Sequence, residues 1–314
     1  MSIERQKENF SPFYSKMIDR ICGKHSIDKN YPFFLSGEFH LSHKLNKKIE
    51  MLQRVKLEDM IQSGMHFGHS TREWNPRMAP YIYGERNGRH ILDLVQTYYL
   101  VNKVLAFLED QAAQGKTFLF VGTKQQAAPL ISKTALACDS YYVNQRWLGG
   151  MLTNWRTIQK SLRKLQEYRQ AEERGDWNLL KKQEVARKRR EKDRLEKYLS
   201  GVENMSRLPG VVIIIGQTEE IHAVKECRQL GIPTVTLLDS NCDPGLADWF
   251  LPANDDSVSA LRLVLGWFQQ SVKAGQVQYR ERQASQQTKQ KPKQAVRRRV
   301  SPAGKKRNPE SKNV

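Results

Sequence analysis

The chain has 314 residues, 39% of them hydrophobic and 27% charged, enough apolar material for one large domain or two modest ones without a disulfide or metal staple. Its 52 Lys and Arg against 33 Asp and Glu give a formal charge of +19, a balance that points to a polyanionic partner, nucleic acid first. No run nears the roughly 20 uninterrupted apolar residues of a membrane span, and the four cysteines (Cys22, Cys138, Cys227, Cys242) form no Cys-x-x-Cys pair, so neither a zinc knuckle nor a disulfide framework is expected.

Residues 1–54 read as an N-terminal extension, rich in aromatics (Phe10, Phe13, Tyr14, Tyr31, Phe33, Phe34, Phe39) but without a sustained period. Glu4, Glu8 and Asp19 are unlike an acid-poor transit peptide or a secretory signal. The body follows. Short β-rich runs at 117–121 (TFLFV), 141–143, 211–215 (VVIII), 234–238 (TVTLL) and 249–251 predict five strands. Leu94, Tyr98, Val101, Leu105 and Leu108, and again Val258, Leu261, Leu265, Phe268 and Val272, repeat at helical spacing, with Asp93 and Asp255 as plausible N-caps. A run such as VVIII, apolar throughout, suits a sheet covered on both faces, and the strand-helix alternation makes it parallel. The expected fold class is α/β: a three-layer sandwich with a five-stranded, mainly parallel sheet, built from 55–154 and 201–275.

Residues 155–200 break this rhythm. Trp155, Ile158, Leu162 and Leu165 form one apolar stripe, Gly175 and Asp176 a turn, and Val185, Leu195, Leu199 and Val202 a returning stripe. This predicts an inserted antiparallel helical hairpin of coiled-coil type. Its middle, RKRREKDR at 187–194, holds six basic residues and no apolar one, so it is either solvated or laid on a polyanion. Residues 276–314 lack an apolar period, are rich in Gln, Lys and Arg, and contain Pro292, Pro302 and Pro309, which predicts a basic disordered tail.

The positive charge is localised: 1–50 carries +3, 155–200 carries +7 and 276–314 carries +10, leaving −1 for the remainder. A near-neutral body with two basic appendages suits a scaffold whose appendages meet phosphate. Taken singly, each appendage also reads as a solvated helical face or a solubilising tail.

A parallel α/β sheet commonly binds nucleotides at its strand carboxyl ends. Gly122-Thr123-Lys124-Gln125, however, is neither of the glycine-rich phosphate-binding loops, and its Gly and Lys read instead as parts of a strand-to-helix turn. His66 and His69 in HFGH have no acidic or Cys partner at metal-site spacing, which favours packing or RNA contact and no metal. Asp239, Asp243 and Asp248 after the fourth strand read as turn and cap residues. The more informative segments mix basic, amide and aromatic residues: 68–77 (GHSTREWNPR) and 144–150 (NQRWLGG), both read as loops, with Trp147 packing the hairpin base and Arg146 facing RNA. The candidate RNA contacts are Arg72, Arg77, Arg86, Arg89, Lys124, Arg146, Arg156, Lys160, Arg187, Lys188, Arg189, Arg190, Arg194, Arg297, Arg298 and Arg299. No catalytic residue, metal ligand or cofactor site is assigned. A nucleotide-dependent α/β enzyme with an RNA-binding tail is the alternative reading.

HFGHSTREWNPRMAPYIYGERNGRHILDL, FVGTKQQA, YYVNQRWLGGMLTNWRTI, LGIPTVTLLDSNCDP and LPANDD, spread from about Val55 to Gln276, together resemble the small-subunit ribosomal protein S2 family. The resemblance implies a three-layer α/β domain with an inserted coiled-coil hairpin, on the solvent side of the small subunit near its head and body junction. It also implies small-subunit ribosomal RNA and neighbouring ribosomal proteins as partners, and no membrane, small-molecule substrate or enzymatic activity. NCDPGLAD followed by PANDD resembles plastid and cyanobacterial members, which implies the chloroplast stroma, with the cytoplasm of a cyanobacterium as the alternative. The first fifty residues and the long basic tail depart from the bacterial pattern.

Overall fold

The computed structural model describes residues 55–298, with no account of the side chains of residues 178 and 287–298; the expectations for 1–54 and for Arg299 onward lie outside the described residues, as do those for the Arg297 and Arg298 side chains. The elements run α1 (Leu57–Gln62), β1 (Phe67–Ser70), β2 (Ile82–Arg86), β3 (Arg89–Leu92), α2 (Leu94–Ala113), β4 (Phe118–Val121), α3 (Ala128–Ala137), β5 (Tyr141–Val143), α4 (Trp155–Glu173), α5 (Lys182–Leu199), β6 (Val211–Ile215), α6 (Ile221–Leu230), β7 (Thr234–Leu238), β8 (Trp249–Pro252) and α7 (Val258–Arg298).

The five expected strands pair in parallel in the order β5-β4-β6-β7-β8. Every residue of β4, β6 and β7 is buried, as continuous apolar runs require when helices cover both faces. Alternation then divides each strand between two cores. Phe118, Phe120, Val211, Ile213 and Ile215 face a cluster shared with α2, α3 and α7. Leu119, Val121, Val212 and Ile214 face another formed with α6 and the hairpin base. The result is the expected three layers. Strand order reverses at β4, which puts the topological switch point, the usual ligand crevice of such sheets, beside its carboxyl end.

That crevice is partly roofed by an element not read from the sequence. β1, β3 and β2 form a second, antiparallel sheet in the order β1-β3-β2. It docks on the carboxyl end of β7 through His69 N, which donates to Asp239 Oδ1 at 3.1 Å, and Asn75 N, which donates to the Ser240 carbonyl at 2.8 Å. Residues 68–70, expected in a loop, therefore lie on a strand.

Asp93 caps α2 as expected, accepting from Val95 N at 2.9 Å. Asp255 does not cap α7. Its side chain is fully buried against Lys124, while Ser257 directly precedes the helix and accepts from Ala260 N at 3.4 Å. α7 also continues to Arg298, so residues 276–298, expected to be irregular, are helical. Gln, Lys, Arg, Ala and Glu are good helix formers, and a segment polar on all sides shows no apolar period to read. The domain edge shifts with it: Gln276 Nε2 donates to the Cys138 carbonyl at 2.6 Å and Gln278 Nε2 to Glu109 at 2.6 Å. At the α2–α7 crossing the backbones nearly touch, for a Cβ added at Gly275 would lie 2.3 Å from the Glu109 carbonyl.

Candidate nucleic-acid interface

The segment RWLGGMLT leaves β5, turns, and enters α4. Trp147 is buried at 8% exposure and Arg146 is exposed, as the sequence suggested. What holds the turn is a residue the sequence reading passed over. Glu226 on α6, itself 8% exposed, accepts Trp147 Nε1 at 3.0 Å and Gly150 N at 2.8 Å on one oxygen. Its other oxygen accepts Leu152 N at 3.0 Å and Thr153 N and Oγ1, each at 3.1 Å. Burial raises the Glu226 pKa, but the indole and amide donors outweigh it and hold the carboxyl below its ordinary value. The available signal was a lone acid among Ala223, Val224 and Cys227 on the buried face of α6.

From this turn the hairpin α4–α5 projects. Gly175 at φ +76° begins the reversal, and Trp177 is buried in the tip, edge-on to Tyr168 at 6.2 Å. Beyond the stripe of Ile158, Leu162 and Leu165, the helices are tied by charge. Lys164 pairs with Glu191 at 2.5 Å, Lys192 with Glu172, and Arg169 with both Glu196 (2.6 Å) and Glu203 (2.7 Å). Exposed pairs contribute little each, but together they mark one register. They also sort the cations of α5. Lys192 faces α4, whereas Arg187, Arg190 and Arg194, spaced on one helical face, are exposed and make no ion pair among the described residues. Lys188 reaches Glu184 at 3.7 Å and Arg189 reaches Glu172 at 3.9 Å.

Arg156 and Lys160 on α4 are exposed, as are Arg72 and the cross-strand partners Arg86 and Arg89 on the small sheet. Arg77 is exposed but pairs with Asp243. Lys124 leaves the outward set. Its ammonium turns inward to Asp255 (2.7 Å), Asp256 (2.9 Å) and Glu219 (3.7 Å). Burial lowers its pKa, but these carboxylates outweigh that and raise it above the ordinary lysine value. Gly122 serves the strand-to-helix turn as read: a Cβ there would meet Ile131 Cδ1 at 2.5 Å and the Ile215 carbonyl at 3.1 Å.

The two histidines of HFGH diverge. His66 is buried, its rings 4.0 Å from those of Phe67, and burial lowers its pKa. His69 enters the cluster at the switch point, its Nδ1 3.0 Å from Asp239 Oδ2, and that contact raises its pKa to about 9. Burial, with Asp239 nearby, pushes Asp255 up to about 6. Asp243 and Asp248 do serve the loop, accepting from Gly245 N and Thr234 N, both at 2.9 Å.

Fold and site together define a doubly wound α/β scaffold that carries a basic helical hairpin and fills its own ligand crevice with a second sheet and internal ion pairs. The family described as Ribosomal protein S2 matches residues 60–275. A small ribosomal subunit protein uS2c from Chlorella vulgaris is 85% identical over 84% of this chain and 100% of its own length. A uS2c from Oltmannsiellopsis viridis is 57% identical over 73% of this chain and 97% of its own, and a uS2 from Picosynechococcus is 50% identical over 70% and 86%. The chain belongs to the ribosomal protein S2 family, whose members are structural components of the small ribosomal subunit and not enzymes.

Proposed function

We propose that this chain is a structural constituent of the chloroplast small ribosomal subunit, in the stroma, where it binds ribosomal RNA through phosphate contacts and packs against neighbouring ribosomal proteins. The relatives named uS2c support the plastid reading. The observation that carries the RNA reading is the outward row Arg187, Arg190 and Arg194, exposed on one face of a hairpin helix whose Lys192 is instead taken up by Glu172 of the facing helix. Arg72, Arg86, Arg89, Arg146, Arg156 and Lys160 extend the proposed contact surface. A-form RNA has a deep, narrow major groove, so a rigid basic hairpin follows backbone shape more than base edges, and such contacts fix position rather than read sequence.

Each neutralised phosphate contributes about 0.7 to 0.9 to the slope of log affinity against log salt. Replacing Arg187, Arg190 and Arg194 together with alanine should therefore flatten that slope by about 2 to 3 for small-subunit ribosomal RNA, with an unchanged melting temperature. A filter-binding titration across a salt series reads this directly; an unchanged slope would show that the row does not meet phosphate.

A further inference from the structure

We infer that the outer face of α2 is a docking surface for this chain's own N-terminal segment, whose aromatic run at 31–39 (YPFFLSGEF) seats on Val95 and Tyr99. α2 is not patterned like a surface helix. Its inner stripe, Leu94, Val101, Leu105 and Leu108, lies in the core shared with β4 and β6. An outer stripe is ordinarily charged, yet from Leu94 to Leu108 Lys103 is the sole charged residue. Val95 is 38% exposed and Tyr99 63%, one turn apart on the same face. Exposed Pro80 widens the apolar surface, its carbonyl accepting from Gln96 Nε2 at 2.7 Å, and exposed Ala106 continues it along the helix. Of the described residues, Lys103 reaches the Tyr99 ring, its ammonium 4.4 Å from the centroid, and still leaves most of that side chain open. A helix that is apolar on both sides is ordinarily covered on both.

Connectivity favours the chain's own segment as the occupant. Val55, which the segment joins, is 3% exposed in the same core cluster as Leu94 and Val101, and α1, which follows at once, lies against α2. Tyr31, Phe33, Phe34 and Phe39 are four of the seven aromatics of 1–54 and stand nearest to that junction. The 16 positions from Phe39 to Val55 span up to roughly 50 Å when extended. α2 is only about 30 Å long, so every point on it is within reach. A tethered segment also meets the face at an effective concentration on the order of millimolar, above that of a free second copy. RNA is a poor occupant, because the one ammonium here is already engaged with Tyr99 and offers little to neutralise phosphate. Aromatic side chains and an uncovered apolar face are each unfavourable in water, and docking one on the other removes both from it.

The test places the photo-crosslinker p-benzoylphenylalanine at position 99 of the purified full chain, where the side chain is exposed. Irradiated monomer, digested and read by mass spectrometry, should carry crosslinks from position 99 into residues 31–39. The triple variant Phe33→Ala, Phe34→Ala, Phe39→Ala should lower that yield about tenfold or more, with the helical circular dichroism retained. A second readout needs no crosslinker: hydroxyl-radical oxidation of the native Tyr99 should rise several-fold in the same triple variant. Crosslinks that join two copies, crosslinks confined to residues outside 31–39, or none at all would overturn the docking. So would a triple variant that crosslinks as fully as the original, or whose Tyr99 is oxidised no faster.

Discussion

Glu226→Ala is expected to lower the unfolding free energy by about 3 to 5 kcal/mol, because it removes the acceptor of a buried charged network. Four N–H groups, of Trp147, Gly150, Leu152 and Thr153, and the Thr153 hydroxyl converge on that carboxylate. Trp147 and Leu152 are buried, so truncation leaves at least their N–H donors unpaired. Glu226→Gln keeps the shape but replaces one oxygen with a donor, and should cost less than alanine but remain destabilising. Acid works in the same direction. A carboxyl held below its ordinary value contributes stability that is full above the unfolded value, about 4.3, and lost as pH falls through the folded one. Wild type and Glu226→Gln should therefore converge at strongly acidic pH. Urea unfolding of the full chain checks both, and a loss below about 1 kcal/mol for Glu226→Ala would remove Glu226 as the keystone of this turn.

Adjacent substitutions one position apart should behave in opposite ways. Trp147→Ala opens a cavity between the sheet and the hairpin base and removes one of the two donors on a Glu226 oxygen, at a cost of roughly 3 to 5 kcal/mol. Combined with Glu226→Ala it should fall short of the sum, since the two share a hydrogen bond. Arg146 is exposed. Arg146→Ala should leave the melting temperature unchanged and weaken incorporation into the small subunit by about 1 to 3 kcal/mol, the loss of a charge-assisted hydrogen bond. An early-melting Arg146→Ala beside a normal Trp147→Ala would reverse the two roles.

The parts legible in the sequence are those whose pattern is local. Phe118–Val121, Val211–Ile215 and Thr234–Leu238 are buried on both faces, so their apolar runs read directly as strands, and the stripe Ile158, Leu162, Leu165 read as a hairpin helix. The β1-β3-β2 sheet was not legible, because its strands are four or five residues long, half exposed, and interrupted by irregular register. Partnerships across long separations were hidden for another reason. Lys124 reads as an outward cation and Asp255 as a cap until the fold brings together residues 131 positions apart. Glu226 lay equally far from legibility: its role is set by amides more than seventy positions away.

The most direct measurement of the central claim follows a tagged chain through a sucrose gradient of plastid extract. The account predicts that the wild-type chain sediments with small ribosomal subunits. A variant with Arg187, Arg190 and Arg194 changed to glutamate, its melting temperature unaltered, should shift to the fractions of unassembled protein. A wild-type chain at the top of the gradient, or a charge-reversed hairpin that incorporates as fully as the original, would contradict it.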